Sequence, residues 1–251
     1  MATLDEIVEF LNKELRISEI PDYPGAHNGL QLQNEGRVEK IAVAVDASLP
    51  VVRKAVAHGV DLLIVHHGMF WHGVKPLSGS YYDKIKEAIN GGLAIYSSHL
   101  PLDIHPTLGN NVRLAQALEL KVTDAFMEWK GHKLGVSGTL DLSLSELRER
   151  LSDAVGGAVL SCGPEDAPSG RVGIITGGAG SEIEKVAASG IETFITGEGP
   201  HWSYPLAEEL GLNFLYGGHY ATETFGVRAL GDALIERFQV ESRFIDHPTG
   251  L

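Results

Sequence analysis

The chain has 251 residues, 43% of them hydrophobic and 21% charged. That is the composition of a globular protein able to bury one large core or two smaller ones. Its net charge of −13 repels nucleic acid, and no cluster of Lys and Arg offsets it. The single cysteine, Cys162, excludes an internal disulfide and a Cys-rich zinc finger. No apolar run approaches the about 20 residues that span a bilayer.

The N-terminal segment MATLDEIVEFLNKEL carries acids and no basic leader region, so a cytoplasmic protein with no membrane partner is expected. Thr3 followed by Glu6 spells a capping box, and Ile7, Val8, Phe10, Leu11 and Leu15 supply an apolar stripe, which predicts a helix over 3–15. PDYPGAHNGLQLQNEG, residues 21–36, reads as a loop. KIAVAVDAS then reads as a strand, LPVVRKAVAHG as a helix that Ser48 can cap, and VDLLIV as a second strand. This is β-α-β, the unit of a parallel sheet, and its near-continuous apolar strands suit a sheet covered on both faces. Further along, 80–90 suits a helix, GGLAIYSS a strand and LGNNVRLAQALEL a helix. Residues 121–140 suit a pair of strands. Ser143 with Glu146 spells another capping box, and CGPEDAPSG, residues 162–170, is the best linker candidate.

The sequence also repeats itself. KIAVAVDASLPVVRKAVAHGVDLLIVHHGMFW aligns without a gap on RVGIITGGAGSEIEKVAASGIETFITGEGPHW at an offset of 131. Asp61 falls over Glu192, Gly68 over Gly199 and Trp71 over Trp202, while His66 and His67 meet Gly197 and Glu198. LAIYSSHLPLD aligns on NFLYGGHYATE at an offset of 120, placing His99 over His219 and Asp103 over Glu223. The expected fold is therefore α/β: two similar α/β subdomains from an internal duplication, with mostly parallel or mixed sheets covered by helices. Their expected extents are 1–125, on which part of the C-terminus can also pack, and 126–251, together one compact unit.

Ligands of open parallel sheets gather at the carboxyl ends of the strands. His66-His67, His99…Asp103 and His219…Glu223 each follow an expected strand. Imidazole and carboxylate form a nitrogen and oxygen donor set, suited to Zn, Mn, Fe, Co, Ni or Mg. Successive side chains on a strand diverge, so two adjacent imidazoles suit two ions, one each, better than one shared ion. Ions of such a pair lie roughly 3.5–4 Å apart and need a bridge, for which Asp103 and Glu223 are candidates. The four-residue spacing of His219 and Glu223 puts both on one helix face. A lone histidine after a strand is more often a loop or capping residue, and His58, His105, His132 and His247 are read so. Phe70, Trp71, His72 and Trp202 are read as wall or interface residues. IITGGAGSEIEKV could cradle a phosphate at a helix start, but Ile183 stands where a dinucleotide motif needs its third glycine. Ser181 with Glu184 there also spells an ordinary capping box.

These motifs resemble a known family, the GTP cyclohydrolase I type 2 homologues, also called NGG-one-interacting-factor-three-like proteins. The resemblance runs nearly end to end: NGLQ at 28–31, VDAS at 45–48, LIVHHGMFW at 63–71, SSHLPLDIHPTLGNN at 97–111, TGEGPHW at 196–202 and GGHYATET at 217–224. The length is similar to the short bacterial form. The resemblance implies a dinuclear metal site between the two subdomains, with two divalent ions held by His66, His67, Asp103, His219 and Glu223. It places His99 beside them as a proton-transfer group. It also implies a homohexamer, a trimer of dimers, and hydrolytic opening of the guanine imidazole ring of GTP, or of a related nucleotide-like small molecule, by metal-bound hydroxide. Ala26-His27 departs from the family pattern ahead of NGLQ, which leaves open whether His27 adds a ligand; the roles of His72 and His201 are open too. The same ligands also suit a second reading, a non-catalytic metal carrier or regulatory, partner-binding protein. A plain nucleotide-binding module would rest on IITGGAGSEIEKV alone.

Overall fold

A computed structural model describes residues 2–71, 73 and 75–251. The chain forms two compact units, one of Met1–Leu102 with Gly226–His247, the other of Asp103–Phe225 with Pro248–Leu251. The division falls at residues 102 and 103 rather than at 125 and 126, and a C-terminal segment belongs to the first unit. Packing accounts for both features. Leu114, Ala115, Leu118 and Leu120 are buried in the core of the second unit. The strand Glu241–Phe244 pairs in parallel with Lys40–Asp46 in the first.

The first unit is built on a five-stranded sheet in the order Glu241–Phe244, Lys40–Asp46, Leu62–His67, Ala94–Ser97, Gly29–Leu32. All its pairings are parallel except the last, where Gly29–Leu32 runs antiparallel along Ala94–Ser97. The central strands are buried along their length, as their unbroken apolar runs require. Ala42, Ala44, Leu63, Val65 and Ile95 pack with Val51, Val52 and Ala55 of the helix Leu49–Ala57. That helix begins where Ser48 Oγ accepts from Val51 N and where Pro50 stands in the first turn. The helix Leu4–Glu14 starts at the full Thr3–Glu6 capping box.

The second unit has a six-stranded mixed sheet in the order Asp124–Trp129, His132–Ser143, Pro168–Ile174, Thr193–Thr196, Asn213–Tyr216, Leu160–Cys162. Its three consecutive parallel strands, Pro168–Ile174, Thr193–Thr196 and Asn213–Tyr216, are flanked by antiparallel ones. The linker expected at 162–170 is partly strand: Cys162 ends one and Pro168 begins another.

The two units share a register. Ile41 pairs with Leu62 as Val172 pairs with Thr193, 131 residues on. Asp61 Oδ2 accepts from Lys40 N at 2.9 Å, and Glu192 Oε2 accepts from Arg171 N at 2.7 Å. The third strand departs from the sequence alignment by one residue. Ala94 N donates to Asp61 O and Asn213 N to Glu192 O, an offset of 119 rather than 120, so His219 arrives one position later after its strand than His99 does. No helix among the described residues is long and apolar enough to cross a membrane.

Candidate metal centre

In the first unit the strand Leu62–His67 delivers two imidazoles to the carboxyl end of the sheet. Its neighbours anchor them from opposite sides. His66, fully buried, has Nδ1 3.0 Å from the carbonyl oxygen of Ser98, just past the strand Ala94–Ser97. His67 Nδ1 lies 2.9 Å from Asp46 Oδ1, at the end of Lys40–Asp46. The two rings do not splay apart as strand alternation predicts; their centroids are 4.7 Å apart. His99 joins them, with centroids 4.9 Å from His66 and 5.6 Å from His67. One ligand nitrogen from each of His66, His67 and His99 lies within 4.8 Å of the others.

The wall beside this cluster is aromatic. Trp71 lies 4.7 Å from the His99 ring and 5.5 Å from that of His67, with Tyr23 6.4 Å beyond it, centroid to centroid. The NGLQ motif supports the turn. Gln31 Oε1 accepts from Met69 N at 2.7 Å, and its Nε2 donates to the carbonyls of Ala26 and His27. His27 packs its ring on Phe70 at 5.6 Å. The wall role expected of His72 lies outside the described residues. Among the other histidines, His105 Nδ1 accepts from Leu108 N at 3.0 Å and so caps its own loop.

In the second unit a single helical turn, His219–Thr222, follows the strand Asn213–Tyr216 and ends at Glu223. His219 and Glu223 share one face, with Nε2 3.2 Å from Oε1. The other ring nitrogen, Nδ1, is 2.7 Å from Glu198 Oε1. Burial alone would lower the pKa of His219, but the Glu223 and Glu198 carboxylates outweigh it and raise it to about 9. Asp103, nearly buried, accepts from Asn110 Nδ2 at 2.8 Å and from Thr176 Oγ1 at 3.4 Å.

The glycine-rich turn after Ile174 passes close against this pair. A Cβ on Gly177 would overlap the Glu223 carboxylate, and one on Gly197 would fall 2.6 Å from His219 Cα. Three of the turn's amides are already used: Gly177 N donates to Thr222 Oγ1, Ala179 N to Thr196 Oγ1 and Gly180 N to Glu198 O. Nor does Ser181 cap a helix. It lies inside the 3-10 turn Ala179–Glu182, and the helix that follows starts at Ile183 without a side-chain cap. Cys162 is buried, which pushes its thiol pKa up and leaves it a poor nucleophile.

Residues 2–249 match the model of the family described as Duf34/NIF3 (NGG1p interacting factor 3). The chain belongs to this family. The GTP cyclohydrolase 1 type 2 homolog of Deinococcus radiodurans is 40% identical over 98% of this chain and 94% of its own length. Among solved structures, protein ybgI, titled as of unknown function, matches with a TM-score of 0.91 at 36% identity, covering 99% of this chain and all (100%) of its own. TTHA1606 of Thermus thermophilus matches with a TM-score of 0.85 at 37% identity, covering 100% of both chains.

Set within a Duf34/NIF3 fold, the anchors are what sequence reasoning missed. Asp46 and Glu198 take up Nδ1 of His67 and His219, as outer carboxylates do for metal-ligating histidines. Glu198 carried a signal, since it stands at the aligned position of His67. Asp46 lay unread in VDAS. Removing the Asp46 anchor is expected to weaken metal binding about 10- to 100-fold without unfolding the chain. Chelator competition on Asp46→Ala checks this; an affinity equal to wild type would mean that the carboxylate does not orient His67.

Proposed function

We propose that this chain is a dinuclear metal-dependent hydrolase of the cyclohydrolase kind, acting on GTP or a related nucleotide-like small molecule. His66, His67, Asp103, His219 and Glu223 would hold two divalent ions, drawn from Zn, Mn, Fe, Co, Ni or Mg, and His99 would move protons. The observation that carries this reading is the anchoring of Nδ1 in His66, His67 and His219 by a carbonyl or a carboxylate. Carbonyl and carboxylate partners on one ring nitrogen are the surroundings that orient metal-ligating histidines, and the nitrogen and oxygen donor set fits the borderline-to-hard ions named.

The ions, when bound, supply Lewis-acid activation of water and of the atom it attacks. The chain's own residues do the rest. Asp46, Glu198 and the Ser98 carbonyl hold the ligand rings in place. His99 stands beside them as the proton carrier, and Trp71 with Tyr23 offers a partly exposed aromatic face on which a flat heterocycle can stack. The printed name of the relatives makes GTP the first substrate to try. The shared register of the two sheets supports an origin by duplication. Assembly as a homohexamer, a trimer of dimers in the cytoplasm, rests on the resemblance to the family and is checked by the mass of the purified protein in solution.

The deciding experiment is incubation of the protein with GTP and each divalent metal in turn, reading formate release. Formate formed in proportion to protein, and lost on removing metal, is the expected result. No turnover with any metal, while metal remains tightly bound, would replace this reading with that of a metal carrier or regulator.

A further inference from the structure

The loop PDYPG brings a carboxylate to His99 that the ligand motifs do not include. Three N–H donors and the Nδ1 of His99 converge on Asp22. Its Oδ1 lies 2.8 Å from His99 Nδ1 and accepts from Tyr23 N at 2.7 Å. Its Oδ2 accepts from Asn28 Nδ2 at 2.8 Å and from Leu100 N at 2.9 Å. Asn28 cannot reverse its amide, because its Oδ1 accepts from His99 N at 2.8 Å. Three committed N–H donors on its two oxygens favour the acceptor-only, ionised carboxylate. Burial works against that charge, but the hydrogen bonds from His99, Asn28 and Tyr23 prevail and hold the carboxyl below its ordinary range. An ionised carboxylate has no proton to give, so the proton in the shared bond belongs to His99 Nδ1. Both side chains are buried, 9% exposed for His99 and 6% for Asp22, so water does not compete for this bond.

We propose that Asp22 is a positioning residue that locks His99 in its Nδ1–H tautomer and so aims Nε2, as a proton acceptor, at the His66–His67 cluster. The proposal rests on the hydrolase reading above. In the step it serves, a water oxygen forms a bond to the ring carbon of the substrate and its proton passes to His99 Nε2. The same proton then goes to the leaving nitrogen as the carbon–nitrogen bond breaks, which returns His99 to its starting state.

The carboxamide of Asp22→Asn cannot reproduce this. With its NH2 on the Oδ2 side it would face two donors, Asn28 Nδ2 and Leu100 N. Turned the other way, the NH2 faces one fixed donor, Tyr23 N, instead of two, together with His99, whose ring can respond by moving its proton to Nε2. The variant therefore inverts the tautomer with almost no change of shape.

The test uses metal-loaded protein carrying 15N-labelled histidine, in which multiple-bond 15N–1H correlation reads the protonated ring nitrogen of His99. Wild type is expected to carry the proton on Nδ1, and Asp22→Asn on Nε2. The variant should retain its metal, lose about 100-fold or more in kcat for formate release from GTP, and keep KM within about twofold. His99→Gln should show a similar kcat loss, to which Asp22→Asn adds little in the double variant. A wild-type His99 protonated on Nε2 would overturn the proposal, as would loss of metal from Asp22→Asn, which would make His99 a ligand. The wild-type spectrum decides even where the variant does not fold. If wild type does not turn over GTP, the substrate reading falls, while the tautomer and metal readouts still decide the role of Asp22.

Discussion

Glu223→Ala is expected to leave a folded protein that no longer retains its full complement of metal. Glu223 is 2% exposed and faces His219 Nε2 across 3.2 Å, so the variant loses one donor and the partner of another at once. Loss of an outer anchor alone costs a metal site about 10- to 100-fold in affinity, and loss of a direct ligand should exceed the upper end of that range. Glu223→Gln should fail similarly while preserving volume, because an amide brings no charge. Elemental analysis after gel filtration reads the outcome, with a thermal melt of the metal-free forms as the folding control. Asp103→Ala is expected to behave in the same way. Two full metal equivalents in both alanine variants would remove these carboxylates from the proposed ligand set.

Metal affinity should also climb with pH up to about 9, the value to which the Glu223 and Glu198 carboxylates raise His219. A metal ligand must be deprotonated, so below that pH each binding event displaces a proton from this ring. From pH 9 down to pH 7 is two units, which from this group alone weakens apparent affinity about 100-fold, or about 2.7 kcal/mol. The metal-free fold should respond in the opposite sense. A histidine with a raised pKa contributes stability that is complete below its unfolded value near 6.5 and lost as pH rises through about 9. Over that window the metal-free protein should become less stable by up to about 3 kcal/mol while metal binding tightens. Calorimetric titrations in buffers of differing ionisation heat count the protons released, and urea melts of the metal-free form track the second effect. An affinity that stays flat between pH 7 and 9 would rule out His219 as a ligand that must first lose a proton.

Much of the architecture was legible because local chemistry specifies it. The buried strands announced themselves as apolar runs, and the Thr3 and Ser143 capping boxes formed as spelled. The candidate ligand types stood out because imidazoles and carboxylates gathered at strand ends form a donor set suited to metals. What stayed hidden depends on chain separation. The strand Glu241–Phe244 lies about 200 residues from its partner Lys40–Asp46, and no periodicity encodes that pairing. Gly29–Leu32 is a short edge strand with Leu30 exposed, so its pattern looked like loop. Asp22 in a loop and Asp46 at a strand end were ordinary acids until folding carried them to histidines 77 and 21 residues away. The glycines of TGGAGSE gave a true signal of close approach, and what they approach is Glu223 and His219.

The anchors of the three imidazoles proposed as ligands differ in heritability. His66 is held by a main-chain carbonyl, which no single codon change can delete. His67 and His219 are held by Asp46 and Glu198, each one substitution away from an amide, a hydroxyl or nothing. One imidazole is thus fixed by the scaffold itself, while the other two can be retuned one residue at a time. Divergence in metal preference among relatives should therefore accumulate at the positions of Asp46 and Glu198 before it reaches the ligands themselves.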